Sequence, residues 1–204
     1  MKHILPIAII TAIAFLFIFI ANLSSSPALD QSMRTVNLTD LSPTQQTQHQ
    51  RAIAAQKEMF QTLLSKLSAA MKDGGPTNAI TVCSTDAKTI ADQISTKHNL
   101  TIGRTSSKLR NQSNTPPAWA TDALAVSPTT PQILTNDQGT LALLNPIKIA
   151  PPCLQCHGSP NSNINPQTQA KLNELYPHDQ ATNYKEADLR GWFWIQVPSK
   201  NQTN

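Results

Sequence analysis

The chain has 204 residues, a length for one domain, and its 16 Lys and Arg against 12 Asp and Glu give a formal net charge of +4. The basic residues are scattered apart from Lys108 and Arg110, so there is no phosphate-tracking patch and nucleic acid is not an expected partner. The 3 cysteines are an odd count, which leaves one thiol outside any pairing within the chain.

In chain order, residues 4–21 form an apolar run behind Lys2, interrupted by Pro6. A basic start, an apolar middle and the small residues of Ser26-Pro27-Ala28 have the order of a secretory leader cleaved after Ala28. The run is also just long enough to span a bilayer. Residues 1–28 are therefore read as a leader or an inner-membrane anchor, and either way the remainder is expected in the periplasm. Residues 29–41 are polar and read as a flexible tether. The folded domain is expected over 42–198, followed by a polar tail at 199–204.

Ser42 as cap, Pro43 at the first helical position and Gln45 closing a capping box predict a long helix. Ile53, Met59, Leu63, Leu64 and Leu67 recur at helical spacing, and Gly74-Gly75-Pro76 is a stop signal. A second helix is predicted from Asn78 to His98, capped by Thr77. Its inward stripe is Ile80, Cys83, Ala87, Ile90 and Ile94. Cys83 thus falls on the buried face, one turn past the helix start, where the positive end modestly favours a thiolate. Most buried free cysteines are simply small hydrophobes, and that reading stays open here.

Beyond the helices, Leu100 to Thr105 reads as a strand, 106–118 as a loop, and Trp119 as the start of a helical turn. Leu141 to Ile149 suits one or two strands around Asn145-Pro146. Pro166 to Tyr176 suits a short helix. In the last strand, Trp192 to Val197, Trp192 and Trp194 share one face and Phe193, Ile195 and Val197 the other, so it is expected inside the sheet. Two long helices followed by antiparallel strands predict an α+β domain.

Between these strands lies Cys153-Leu154-Gln155-Cys156-His157. Two thiols separated by two residues, with histidine next, is the attachment pattern of haem c. The sulfurs add to the porphyrin vinyl groups, and His157 is then held at the iron as proximal ligand. The alternatives are a thioredoxin-like redox pair or half a zinc site, but no Cys or His follows His157 before His178. One covalent haem c is expected, and its attachment outside the bacterial cytoplasm agrees with the leader. Met59, Met71, His49, His98 and His178 are the remaining competitors of Cys83 for the sixth position.

Four segments, Ala79 to Ala87, Ile102 to Asn111, Asn145 to Gly158 and Tyr176 to Gly191, carry a family resemblance. Together they resemble exported single-haem c-type proteins of PAS-like fold, whose iron has a cysteine and histidine ligand pair. Related domains serve as extracellular sensor modules of histidine kinases and chemotaxis-type receptors. The resemblance implies Cys153 and Cys156 as thioether anchors, His157 as proximal ligand and Cys83 as distal ligand. Arg104, Lys108 and Arg110 fall in the second segment and are propionate candidates, with an ordinary solvated cluster as the equal alternative. Trp192 and Trp194 are better explained by core packing than by a haem pocket. The chain departs from the family at Asn183 and Ala187, where glycines are expected, and at Ala120, where an acidic residue is common.

Iron held by protein on both sides suits one-electron transfer or redox sensing rather than oxygen carriage or catalysis, and thiolate ligation implies a low reduction potential. With seven residues after Val197 there is no room for an output module there. A redox protein, or a separate signalling protein to which the chain reports, is the expected partner. Exchange of Cys83 at the iron would make the site a redox or gas switch. An enzyme is the weakest reading, since no acid–base pair accompanies the motif.

Overall fold

The computed structural model of the chain describes residues 32–199. The leader or anchor expected at 1–28 with its apolar run 4–21, the first tether residues 29–31, and tail residues 200–204 lie outside the described residues. Ser42 caps the longest element as its chemistry predicts: its Oγ accepts the Gln45 N–H at 3.4 Å, and its own N–H donates to Gln45 Oε1 at 3.0 Å. Helix α1 then spans Pro43–His98. It is not one rod. Gly74 (φ −144°) and Gly75 (φ +66°) leave the helical region just before Pro76, a conformation that only glycine adopts cheaply at Gly75.

The two halves of α1 fold back along each other. Lys66 pairs with Asp86 at 2.7 Å, Lys97 with Glu58 at 2.7 Å and His98 with Glu58 at 2.8 Å, so the arms run antiparallel. The two helices predicted from sequence are therefore present as the arms of one broken element. Asn99, left-handed at φ 49°, closes the second arm. Among the described residues no helix is long and apolar enough to cross a membrane.

Five strands form one antiparallel sheet: β1 (Arg34–Thr35), β2 (Thr101–Thr105), β3 (Gln132–Thr135), β4 (Leu141–Lys148) and β5 (Leu189–Val197), in the order β1-β3-β4-β5-β2. Strand alternation divides the core between the two faces. Leu141, Leu143, Phe193, Ile195 and Val197 pack against Ala52, Ala55, Met59 and Leu63 of the first arm and Ala87, Ile90 and Ile94 of the second. On the other face, Ala142, Leu144 and Trp194 meet Leu134, Ala120 and Trp119, beside the short helix α2 (Thr121–Ala125). Trp194 is thus a core residue, and the Trp192 indole donates to the Pro128 carbonyl at 2.8 Å.

One expectation is overturned, and one strand is new. The segment read as a flexible tether to residue 41 is partly built into the sheet. Arg34 and Thr35 pair with Thr135 and Leu134, the Val36 N–H donates to Ile133 O at 2.9 Å, and Leu41 is buried. Backbone pairing covers the edge of β3, and backbone pairing leaves no mark in a polar sequence. Strand β3 itself was not expected, because it offers only Ile133 and Leu134 as apolar residues. Leu141 to Lys148 forms a single strand, within the one or two expected there. From Asn145 onward only β5 flanks it, so Pro146 costs no hydrogen bond to a second neighbour.

Candidate functional site

The Cys-Leu-Gln-Cys-His motif is helical, which the sequence reading did not anticipate. A 3₁₀ turn at Pro151–Cys153 leads into α3, Leu154–His157. A single turn brings Cys153, Cys156 and His157, three and four residues apart, to one side. None of the three cysteines is in a disulfide. Cys153 and Leu154 pack on Ile149, Ala181 and Tyr184. Cys156 packs with Ile80, Ile164, Leu172 and Tyr176, so α3 is seated against the second arm of α1 and against α4 (Pro166–Leu175).

Ile80 lies one turn before Cys83 on the same inward stripe. The stripe therefore changes partner along its length, from the motif at Ile80 to the sheet at Ala87, and Cys83 sits between. Its thiol feels the charges of Arg104, Arg110 and Arg190, and it acts in turn on Cys156 and Tyr176. Burial outweighs the arginines and pushes the Cys83 thiol up from its ordinary value. Burial likewise pushes Cys156 up to about 11 and Tyr176 up to about 12.

His157 is fixed by the loop that follows α4. Its Nδ1 lies 2.9 Å from the Ala181 carbonyl, which can only accept, so Nδ1 carries the proton and Nε2 keeps its lone pair. Burial, reinforced by Arg110 and Arg190, holds the imidazole well below its ordinary pKa. Neutral imidazole with one free nitrogen is the form that ligates a metal. The Tyr184 ring stands edge-on to it, with centroids 6.3 Å apart, and the Tyr184 N–H donates to the His157 carbonyl at 3.0 Å.

A buried ion pair fixes that loop in turn. Arg110 Nε donates to Asp179 at 3.0 Å, and its Nη2 donates to the carbonyls of Cys156 at 2.5 Å and Ala181 at 3.0 Å. The second Asp179 oxygen accepts the Ala181 N–H at 2.7 Å. Arg110 thus clamps the motif to the loop that orients His157. Lys108 donates to the Thr182 carbonyl at 2.5 Å and lies 4.4 Å over the Tyr184 ring. Arg104 differs from both, its guanidinium having no hydrogen-bond or ion-pair partner among the described residues although burial lowers its pKa.

Arg190, Tyr176, Asp179, Ala181 and Tyr184 belong to the site and were not singled out from sequence. Arg190 donates to the Lys108 carbonyl at 3.3 Å and lies 5.6 Å over Tyr184. All five fall within the Tyr176 to Gly191 segment, which was the available signal. Of the competing ligands, Met59 is enclosed in the core, His98 is paired with Glu58 and His178 is exposed. Asn183 and Ala187 stand where the family resemblance implies glycine, and both are left-handed, at φ +63° and +68°.

The donor set suits an iron porphyrin: two unpaired thiols, an imidazole with a free Nε2, a thiol on the neighbouring helix and an unpartnered arginine for a carboxylate. A family model described as Tll0287-like matches residues 37–198. Among solved structures, the crystal structure of the cyanobacterial heme-protein Tll0287 matches with a TM-score of 0.58 at 20% identity, covering 80% of this chain and 100% of that one. This likeness is one of fold, and it makes the domain a PAS-like α+β domain. A search of the curated proteins returns no match.

Proposed function

Because the chain belongs to the Tll0287-like family, we propose that it is an exported haem protein with one covalent haem c, acting in one-electron transfer or redox sensing. The observation that carries this reading is the seating of Cys153, Cys156 and His157, on one helical turn, against the arm of α1 that holds Cys83. In it, Cys153 and Cys156 would be the covalent anchors, and His157 Nε2 and Cys83 would be the two protein ligands of the iron. The bound group supplies a one-electron couple, with a potential lowered by thiolate ligation.

The rest is done by the chain. Asp179 and Arg110 hold the Ala181 carbonyl in place, and that carbonyl keeps the proton on Nδ1 of His157. Tyr184 and the hydrophobic residues around Cys153 and Cys156 limit water at the site. Arg104, whose side chain has no hydrogen-bond or ion-pair partner among the described residues, is the first candidate for a propionate, and Lys108 and Arg190 border the same region. Cys83, on the second arm of α1, would be the exchangeable ligand of the pair. Partners in this reading are a redox protein or a separate signalling protein in the periplasm.

Electron paramagnetic resonance of the ferric protein, beside a Cys83→Ala variant, tests the ligand set. A low-spin thiolate spectrum that disappears in the variant is expected. A spectrum unchanged by the substitution removes Cys83 from the iron.

A further inference from the structure

The two arms of α1 present different outer sides. On the second arm every exposed residue between Thr85 and Lys97 is polar, and Lys88 is paired with Asp92 at 2.7 Å. On the first arm, Ile53, Phe60 and Leu64 are 42%, 51% and 49% exposed. Their spacing sets them in one row about 16 Å long at 1.5 Å per residue, beside the buried stripe of Ala52, Met59 and Leu63.

The free charge around this row has one sign. Lys57 lies within it and Lys72 beyond its end, both exposed and neither in an ion pair among the described residues. The only acidic residue from Pro43 to Lys72 is Glu58, which is turned to the second arm and holds Lys97 and His98 there. A bulky apolar row with unpaired lysines and no free carboxylate suits a helix lying in the headgroup layer of an anionic bilayer. Half-exposed side chains of this size offer roughly 300 Å² together, well under the ~800 Å² that each partner buries in a stable protein interface. A second copy on the same row would also bring two unpaired Lys57 charges together. A lipid surface needs no matching shape, and its phosphates supply the counter-charge.

We propose that the outer side of the first arm docks on an anionic lipid surface. Ile53, Phe60 and Leu64 enter between the headgroups, and Lys57 and Lys72 meet the lipid phosphates. This contact belongs to the folded domain, is distinct from the apolar run of residues 4–21, and does not depend on the haem reading.

Photolabelling tests it. The full-length protein is mixed with phosphatidylcholine vesicles that contain phosphatidylglycerol and a trace of a phosphatidylcholine with a diazirine high on its acyl chain, then irradiated and digested with trypsin. Cleavage at Lys57 and Lys66 releases residues 58–66, which carry Phe60 and Leu64, apart from the apolar run. Label on 58–66 is expected to exceed, at least about fivefold, that on residues 111–148, which carry the 80% exposed Val126. It should fall at least about fivefold on vesicles of phosphatidylcholine alone, the loss that one lysine near an anionic leaflet accounts for. A Phe60→Gln/Leu64→Gln variant with the wild-type Tm should lose it. Label on 58–66 no higher than on the Val126 peptide, as when the row meets an acidic protein instead, would overturn the proposal. So would equal label on both kinds of vesicle, or full label on the folded variant.

Discussion

Removing the Asp179 carboxylate, as in Asp179→Ala, should cost far more than a surface charge does. The side chains of Arg110 and Asp179 are 11% and 8% exposed, so the substitution leaves a buried guanidinium facing two carbonyls and no counter-charge. Breaking a buried pair in this way costs about 3–5 kcal/mol. The N–H of Ala181 also loses its acceptor, but the two losses share one site and do not add independently. At 2–4 °C per kcal/mol for a domain of this size, Tm should fall by about 6–20 °C. The internal control is Asp137→Ala, which breaks a pair with Arg34 of the same chemistry whose side chains are 90% and 64% exposed. That loss should stay under about 1 kcal/mol. Urea unfolding followed by circular dichroism reads both. If Asp179→Ala proves as mild as Asp137→Ala, the ion pair is not what holds the motif to its loop.

Ala187 adopts φ +68°, a region that costs a residue with a Cβ about 1–2 kcal/mol, while glycine loses about 0.4–1 kcal/mol through the unfolded chain. Ala187→Gly should therefore raise stability by roughly 0.5–1 kcal/mol in a denaturant titration, and a lower midpoint contradicts this. Gly191→Ala goes the other way. A Cβ there would lie 2.2 Å from the Thr105 carbonyl oxygen where β2 meets β5, so a loss of about 1–3 kcal/mol or more is expected. An unchanged midpoint would show that the strands can part at no cost. The Glu58 carboxyl is held below its ordinary value, first by its hydrogen bond to Lys97 and then by that to His98. A depressed carboxyl contributes stability that is present above its unfolded pKa and is lost as pH falls through the folded one. The Tm gap between wild type and Glu58→Gln should then be open at neutral pH and close in acid. A gap independent of pH refutes the pairing as its source.

Legibility from sequence followed the range of the forces involved. The Ser42 cap, the Gly74-Gly75-Pro76 break and the stripe of Ile80, Ala87, Ile90 and Ile94 depend on neighbours within a turn or two, and each is where local chemistry placed it. The same holds for β5, whose Phe193, Ile195 and Val197 alternate with Trp192 and Trp194. What stayed hidden is made by distant partners. Strand β1 exists because β3 offers an open edge, and nothing in Arg34 or Thr35 announces that. The Arg110 clamp joins residues 69 apart, and sequence presented Arg110 only as one of three cations near a segment. Cys83 was legible as an inward thiol. That burial outweighs the three nearby arginines and pushes its pKa up was not, because those arginines come from distant parts of the chain.

The intact mass of the exported protein, matured with a c-type haem assembly system and washed under denaturing conditions, tests the central claim most directly. The account predicts a mass increased by one haem that survives denaturation, with attachment weakened in a Cys156→Ser variant and abolished when Cys153 is replaced as well. A mature chain at its bare polypeptide mass, with no haem absorption, would contradict it.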